Sequence, residues 1–164
     1  MALAKTRLVT CLWYDGRAEE AAKLYAGIFK DSKIGSISRY TDEGTDIHGQ
    51  PAGKVMTVEF ELEGMRFVAL NGGPLFKFSE AISIQILCEN QDEIDYYWSR
   101  LTEGGSESQC GWLKDKFGLS WQVVPAMLPA LLTGGGDKAK RVTATFMKMK
   151  KFDIATLQRA ADGA

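Results

Sequence analysis

The chain has 164 residues, 45% hydrophobic and 25% charged, with a formal net charge of -1. That balance fits one ordinary globular domain, 1–164, with its own core. It gives no charge-driven reason to bind nucleic acid or an anionic membrane, so neither is expected as a partner.

No stretch approaches the ~20 apolar residues of a membrane span. The N-terminal Met-Ala-Leu-Ala-Lys-Thr-Arg lacks the apolar run of a signal peptide. Cys11, Cys88 and Cys110 have no metal-ligand spacing. An odd, sparse set suggests free thiols in a reducing compartment, and a cytoplasmic protein is expected.

In chain order, the apolar run Leu8 to Tyr14 predicts a strand, placing Cys11 with Val9 and Trp13 on a helix-facing row. Asp15 or Gly16 starts a helix over Arg17 to Phe29, with Ala21, Leu24, Tyr25 and Ile28 on one face. Lys33 to Tyr40 reads as a strand, and Thr41 to Gly53, holding the only histidine, as an exposed loop. Val55 to Leu62 and Met65 to Asn71 alternate about a Glu63-Gly64 turn, which predicts a hairpin. Gly72-Gly73-Pro74 opens a linker whose Phe76 and Phe78 are apolar enough to be tucked under something.

A second series follows. Ala81 to Cys88 is apolar, Asp92 to Thr102 is helix-like, and Gly104-Gly105 stops that helix. Trp112 and Leu113 lead through a turn at Asp115 to Gly118 into Leu119 to Val124. There Leu119, Trp121 and Val123 point one way and Ser120, Gln122 and Val124 the other. Beyond Pro125 the pattern changes to helical pieces. Met127 to Leu132 makes a helical turn, and Gly134 to Gly136 breaks the chain. Asp137 and Asp153 are candidate caps for two further helices.

Offsetting the two series by 73 positions lays Glu19-Glu20 on Asp92-Glu93, Tyr25 on Trp98 and Thr10 on Ser83. Setting Ala69 against Gln122 lays Val68 over Trp121 and Leu70 over Val123, so these four should face helices. The reading is an internal duplication of a strand-helix-strand-strand-strand unit. The units span 6–71 and 81–125, and a helical tail 126–162 needs a partner for its apolar stripes. The fold class is therefore α+β, with paired βαβββ units forming curled mixed sheets and a C-terminal helical extension.

Certain stretches carry a family likeness: Leu12-Trp-Tyr-Asp-Gly-Arg-Ala-Glu-Glu-Ala-Ala22, Phe67-Val-Ala-Leu-Asn-Gly-Gly-Pro74, Glu80-Ala-Ile-Ser83, Cys110 to Pro125, and Met147-Lys-Met-Lys-Lys-Phe-Asp-Ile154. On these the chain resembles the PhnB-like family of the vicinal oxygen chelate superfamily, the glyoxalase and bleomycin-resistance fold. The family's domain often carries the label 3-demethylubiquinone-9 3-methyltransferase. Paired units across a homodimer interface are implied by the resemblance, and unpaired sheet edges favour the same assembly.

Metal-using members of that superfamily place His, Gln or Glu on four inward strand positions. Carried over, these fall near Thr10, Ala69, Ser83 and Gln122. Transition-metal sites want imidazole, carboxylate or thiolate, so no metal and no cofactor are expected. His48 reads as a surface side chain and Cys110 as an inert thiol without a base. Lys148, Lys150 and Lys151 read as a solvated face. No Gly-x-Gly turn leads from a strand into a helix, so the methyltransferase label gains no support from the residues.

The polar candidates for ligand contact are Thr10, Asn71, Ser83, Gln85 and Gln122. The expected function is binding of a small molecule. The alternative is a metal-independent enzyme acting on a small, partly apolar substrate.

Overall fold

The computed structural model describes Leu3 and residues 5–164. The reading of the N-terminal segment rests partly on Met1, Ala2 and Ala4, which lie outside the described residues. The chain forms two compact units, Met1–Lys77 and Phe78–Ala164.

In the first unit, β1 (Thr10–Tyr14) is followed by α1 (Ala18–Ile28), β2 (Ser32–Arg39), a short α2 (Thr45–His48), β3 (Val55–Leu62) and β4 (Met65–Asn71). The sheet order is β1-β4-β3-β2, with β1 parallel to β4 and the other pairs antiparallel. Ala18, Ala21, Ala22, Tyr25 and Ile28 recur at helical spacing, and this stripe of α1 is buried. It packs on the row Leu12, Tyr14, Val58, Phe60, Phe67 and Ala69. Glu63 and Gly64 both take positive φ, 49° and 79°, the backbone that a two-residue hairpin turn needs.

The second unit repeats this plan with β5 (Ile84–Cys88), α3 (Gln91–Thr102), β6 (Ser106–Glu107), β7 (Trp112–Lys114) and β8 (Ser120–Pro125). Its order, β5-β8-β7-β6, reproduces that of the first sheet, again with one parallel pair. The paired βαβββ reading holds. Asn90 caps α3 by accepting from the Glu93 amide at 3.0 Å. Ile94, Trp98 and Leu101 of α3 and Leu113, Trp121 and Val123 of the sheet are buried.

The offset of 73 holds for the helices and slips in the strands. Asp15, Gly16 and Arg17 join β1 to α1, whereas Glu89 and Asn90 alone join β5 to α3. One residue of slip turns every side chain to the other face. Cys11 is accordingly exposed and not part of the core, since Leu12 and Tyr14 hold the helix-facing row. Val68 and Leu70 likewise turn away from α1, and Phe67 and Ala69 take the places expected for them. Trp121 and Val123 face α3 as read from the alternation.

Three further expectations are corrected. The loop after β2 contains α2, and its neck is closed by Tyr40 N to Lys54 O and Gly53 N to Tyr40 O, at 2.9 and 2.8 Å. Phe76 is 58% exposed, although it meets Trp13 edge-on with ring centroids 4.9 Å apart. Asp137 does not cap the helix after the glycines; the cap position belongs to Gly135, at φ 60°.

The tail finds its partner within the second unit. It comprises α4 (Leu128–Thr133), α5 (Gly136–Phe146) and α6 (Ile154–Asp162). Arg141 on α5 donates to the Ala160 and Ala161 carbonyls, fastening the end of α6. Between the two helices the chain lies against the central hairpin, where Cys110 N donates to Met149 O and Gly111 N to Lys150 O. Phe152 is buried there, and Gln91 holds both its carbonyl and the Ile154 amide.

Candidate functional site

In the second sheet the strand register places Gln85 directly beside Gln122, and Trp112 on the other side of Gln122. Their neighbours Ile84, Trp121 and Leu113 form the row toward α3, so Gln85, Gln122 and Trp112 share the opposite face. Gln85 Nε2 donates to Gln122 Oε1 at 3.1 Å. Gln122 Nε2 donates to Ser83 Oγ at 2.7 Å. Three of the five expected ligand-contact residues thus form one hydrogen-bonded chain across two parallel strands. Gln85 is exposed, and Ser83 and Gln122 are half-buried.

Two residues outside the expected ligand-contact set belong to the same face, Ser120 as the alternation read it and Lys114 from the neighbouring strand. Lys114 lies opposite Ser120 and holds Glu80 in an ion pair at 2.5 Å. That partner keeps the Glu80 carboxyl below its ordinary range. Ser120 is fully buried, and its hydroxyl has no hydrogen-bond partner among the described residues. Period-two alternation from Gln122 is the signal that finds both, because Ser120 is two residues back on β8 and Lys114 is its cross-strand neighbour.

The other two expected residues lie in the first unit and are oriented differently. Thr10 stands on the row of Leu12 and Tyr14, paired with Phe67. Asn71 is buried and engaged at both ends of its amide. Its Oδ1 accepts from the Ala18 amide at 2.9 Å and its Nδ2 donates to the Val55 carbonyl at 3.0 Å. Its own carbonyl accepts from the Tyr40 hydroxyl at 2.6 Å. Asn71 therefore caps α1 from a neighbouring strand, supplying the acceptor that Arg17 at the cap position does not. The face away from α1 instead presents Cys11, Trp13, Val68 and Leu70.

The metal positions implied by the resemblance are filled by groups that do not fit a transition ion. Thr10 and Ala69 are on the helix-facing row, and Ser83 and Gln122 are neutral and bonded to each other. Amide and hydroxyl oxygens are weak ligands beside imidazole or thiolate. Among the described residues no group of three or more His, Cys, Asp or Glu is placed to hold a metal ion.

The remaining nucleophilic and basic candidates are tied into structure. His48 Nδ1 accepts from the Gln50 amide at 3.0 Å, so Nε2 carries the hydrogen shared with the Glu43 carbonyl at 3.0 Å. Its ring lies against that of Tyr40, centroids 4.6 Å apart and tilted by 36°. Cys110 Sγ is directed at the Phe146 carbonyl, 3.7 Å away. Desolvation holds the Cys11 thiol above its ordinary value, and burial beside Glu93 and Glu89 pushes Cys88 up to about 12; neither is poised as a thiolate. Lys151 pairs with Asp95 and Lys150 approaches Glu107, so that cluster is divided between two carboxylates.

Comparison with known proteins agrees with this architecture. The family model described as 3-demethylubiquinone-9 3-methyltransferase matches residues 6–124. A PhnB protein from Bacillus cereus is similar at 33% identity, with a TM-score of 0.65, over 74% of this chain and 100% of its own. A Pseudomonas aeruginosa protein shares the fold at 20% identity and a TM-score of 0.59, over 74% of this chain and 98% of its own. The fosfomycin resistance protein FosX of Listeria monocytogenes shares it at 16% identity and a TM-score of 0.50, over 79% of this chain and 98% of its own. No curated protein matches the chain.

Proposed function

We propose that this chain, which belongs to the 3-demethylubiquinone-9 3-methyltransferase (PhnB-like) family, binds a small, partly apolar molecule on the face of its second sheet turned away from α3. The proposal takes the vicinal oxygen chelate fold from the family and not the methyltransferase activity in its description, because one fold hosts many chemistries.

The observation that carries the reading is the Ser83–Gln122–Gln85 chain of hydrogen bonds. Polar side chains on the face of a sheet away from its helix would ordinarily turn to water. Here they are ordered into a continuous row with Trp112 alongside, polar groups that fix orientation next to an aromatic surface. The binding mode needs no metal and uses no general base. Ligand-observed NMR with a library of small aromatic molecules tests it on the full chain. Gln122→Leu is expected to keep the fold and to weaken binding of the molecules that the native chain retains by about tenfold. A native chain that binds none of them, or a variant that binds them unchanged, would refute the reading.

The proposal also places the protein in the cytoplasm as a homodimer. Free cysteines support the first. Exposed Leu8, Phe76, Ile82 and Leu87 support the second, since such side chains are commonly covered by a partner. Light scattering at high micromolar concentration checks the assembly, and a monomeric mass would overturn it.

A further inference from the structure

The row that would hold the ligand is neutral, and it reads the same from either end. Gln85 donates to Gln122, and Gln122 donates to Ser83. Ser83 Oγ has accepted one bond and still carries a hydrogen to donate outward. Rotating both amides by 180° reverses the chain without breaking a bond. Ser83 then donates to Gln122, Gln122 donates to Gln85, and the Ser83 oxygen faces outward as an acceptor.

Charge on this face is paired. Lys114 is the ionised residue among those of β5, β7 and β8 that face away from α3, and its ammonium lies 2.5 Å from the Glu80 carboxylate. Among the described residues of that face, an anion placed against Gln122 would meet no free cation, and a cation no free carboxylate. Either would give up part of its hydration for neutral dipoles alone, which is the costly exchange. An uncharged carbonyl, hydroxyl or amide gives up much less and finds a partner in one sense of the chain or the other.

From this geometry we infer that the Ser83–Gln122–Gln85 row selects ligands through an uncharged hydrogen-bonding group, and discriminates against carboxylates and ammonium-type cations of the same shape. The inference rests on the binding reading above and adds the chemical class of the ligand's polar end.

Benzamide, benzoate and benzamidine test it, because they share one ring and one planar head and differ in charge. Each is titrated into the full chain, with binding followed by ligand-observed NMR. Benzamide is expected to bind about tenfold or more tightly than either ion, and Gln122→Leu to weaken benzamide by about tenfold, the worth of a hydrogen bond or so. Gln122→Glu keeps the side-chain shape and adds a carboxylate, so it should move the preference to benzamidine. This second variant keeps the test informative if Gln122→Leu does not fold. Benzoate or benzamidine bound as tightly as benzamide, with loss in Gln122→Leu, would overturn neutral selection and leave the binding site standing. Binding that Gln122→Leu and Gln122→Glu leave unchanged would overturn the site itself. No detectable binding of benzamide at millimolar concentration would overturn the neutral-group inference, while the wider library decides the site.

Discussion

Asp115 Oδ2 accepts from the Trp121 indole nitrogen at 2.9 Å, joining the turn of the central hairpin to the side chain at the middle of the second core. The other oxygen of the same carboxylate accepts from the Phe117 and Leu119 amides, at 2.9 and 3.1 Å. Asp115 is 3% exposed. One buried carboxylate therefore shapes the turn and sets the orientation of the tryptophan, and through β8 it positions Gln122 one residue on.

Asp115→Ala should destabilise the chain by about 3 kcal/mol or more, because it leaves three N–H donors, two of them buried, without their acceptor. Asp115→Asn should also destabilise, since its amide nitrogen would face the indole donor if its oxygen kept the two backbone amides. Urea unfolding followed by tryptophan fluorescence measures both. A midpoint unchanged in Asp115→Asn would mean that the indole contact contributes nothing.

A second prediction concerns Asn71. Capping α1 from β4 is a structural task, so Asn71→Ala should cost about 1–2 kcal/mol of stability. Asn71→Asp should be worse than expected for a cap, because a carboxylate would oppose the Val55 carbonyl that Nδ2 now satisfies. Thermal unfolding of the two variants distinguishes capping from a ligand role, for which stability would be unaffected.

Much of the fold is legible in the sequence because burial imposes period. The α1 stripe and the alternation of β3, β4 and β8 are each written in apolar spacing. The site is legible where its strand is well anchored: Gln122 is fixed by Trp121 and Val123 on either side. It is not legible at β1, where Leu8 to Tyr14 is apolar on both rows and the pattern does not say which row faces in. The apolar pattern therefore exchanges Thr10 and Cys11. The shorter connection before α3 compounds this, since a helix can be aligned without gaps while its preceding strand slips by one. Asn71 shows a different limit. Its polarity marks it as a ligand candidate, but its partners, Ala18 and Val55, are distant in sequence and appear only once the sheet is assembled.

Gly111 should tolerate no side chain. It sits at φ 79°, and an added Cβ would stand 2.4 Å from Phe152 Cε2 and 2.7 Å from the Val123 carbonyl. Gly111→Ala combines left-handed strain, about 1 kcal/mol or more, with displacement of a buried ring. The expected result is release of the segment around Phe152 from the hairpin. Hydrogen exchange at the Cys110 and Gly111 amides, which now donate to Met149 and Lys150, should accelerate in the variant. Unchanged protection there would show that the tail is held by α5 and α6 alone.

The same tail should loosen in acid. Asp153 caps α6 by accepting from the Thr156 amide at 2.7 Å. Hydrogen bonding from Thr156 holds its carboxyl below the ordinary range. Asp95 is lowered by Lys151, which reaches it from the segment just before α6, and by Gln91. A carboxyl whose folded pKa is depressed contributes stability above its unfolded value, near pH 4, and that stability is lost as pH falls through the folded value. Both groups lie near the surface, so the effect is modest and weakens with salt. Amide exchange across α6 should therefore rise below about pH 4, before the second core opens. Asp153→Asn keeps a capping oxygen that does not titrate, so it should remove the Asp153 share of this dependence and leave the Asp95 share. Asp95→Asn should remove the other, along with its sensitivity to added salt. If α6 and the amides of α3 lose protection together at every pH in both variants, these carboxylates do not control the tail.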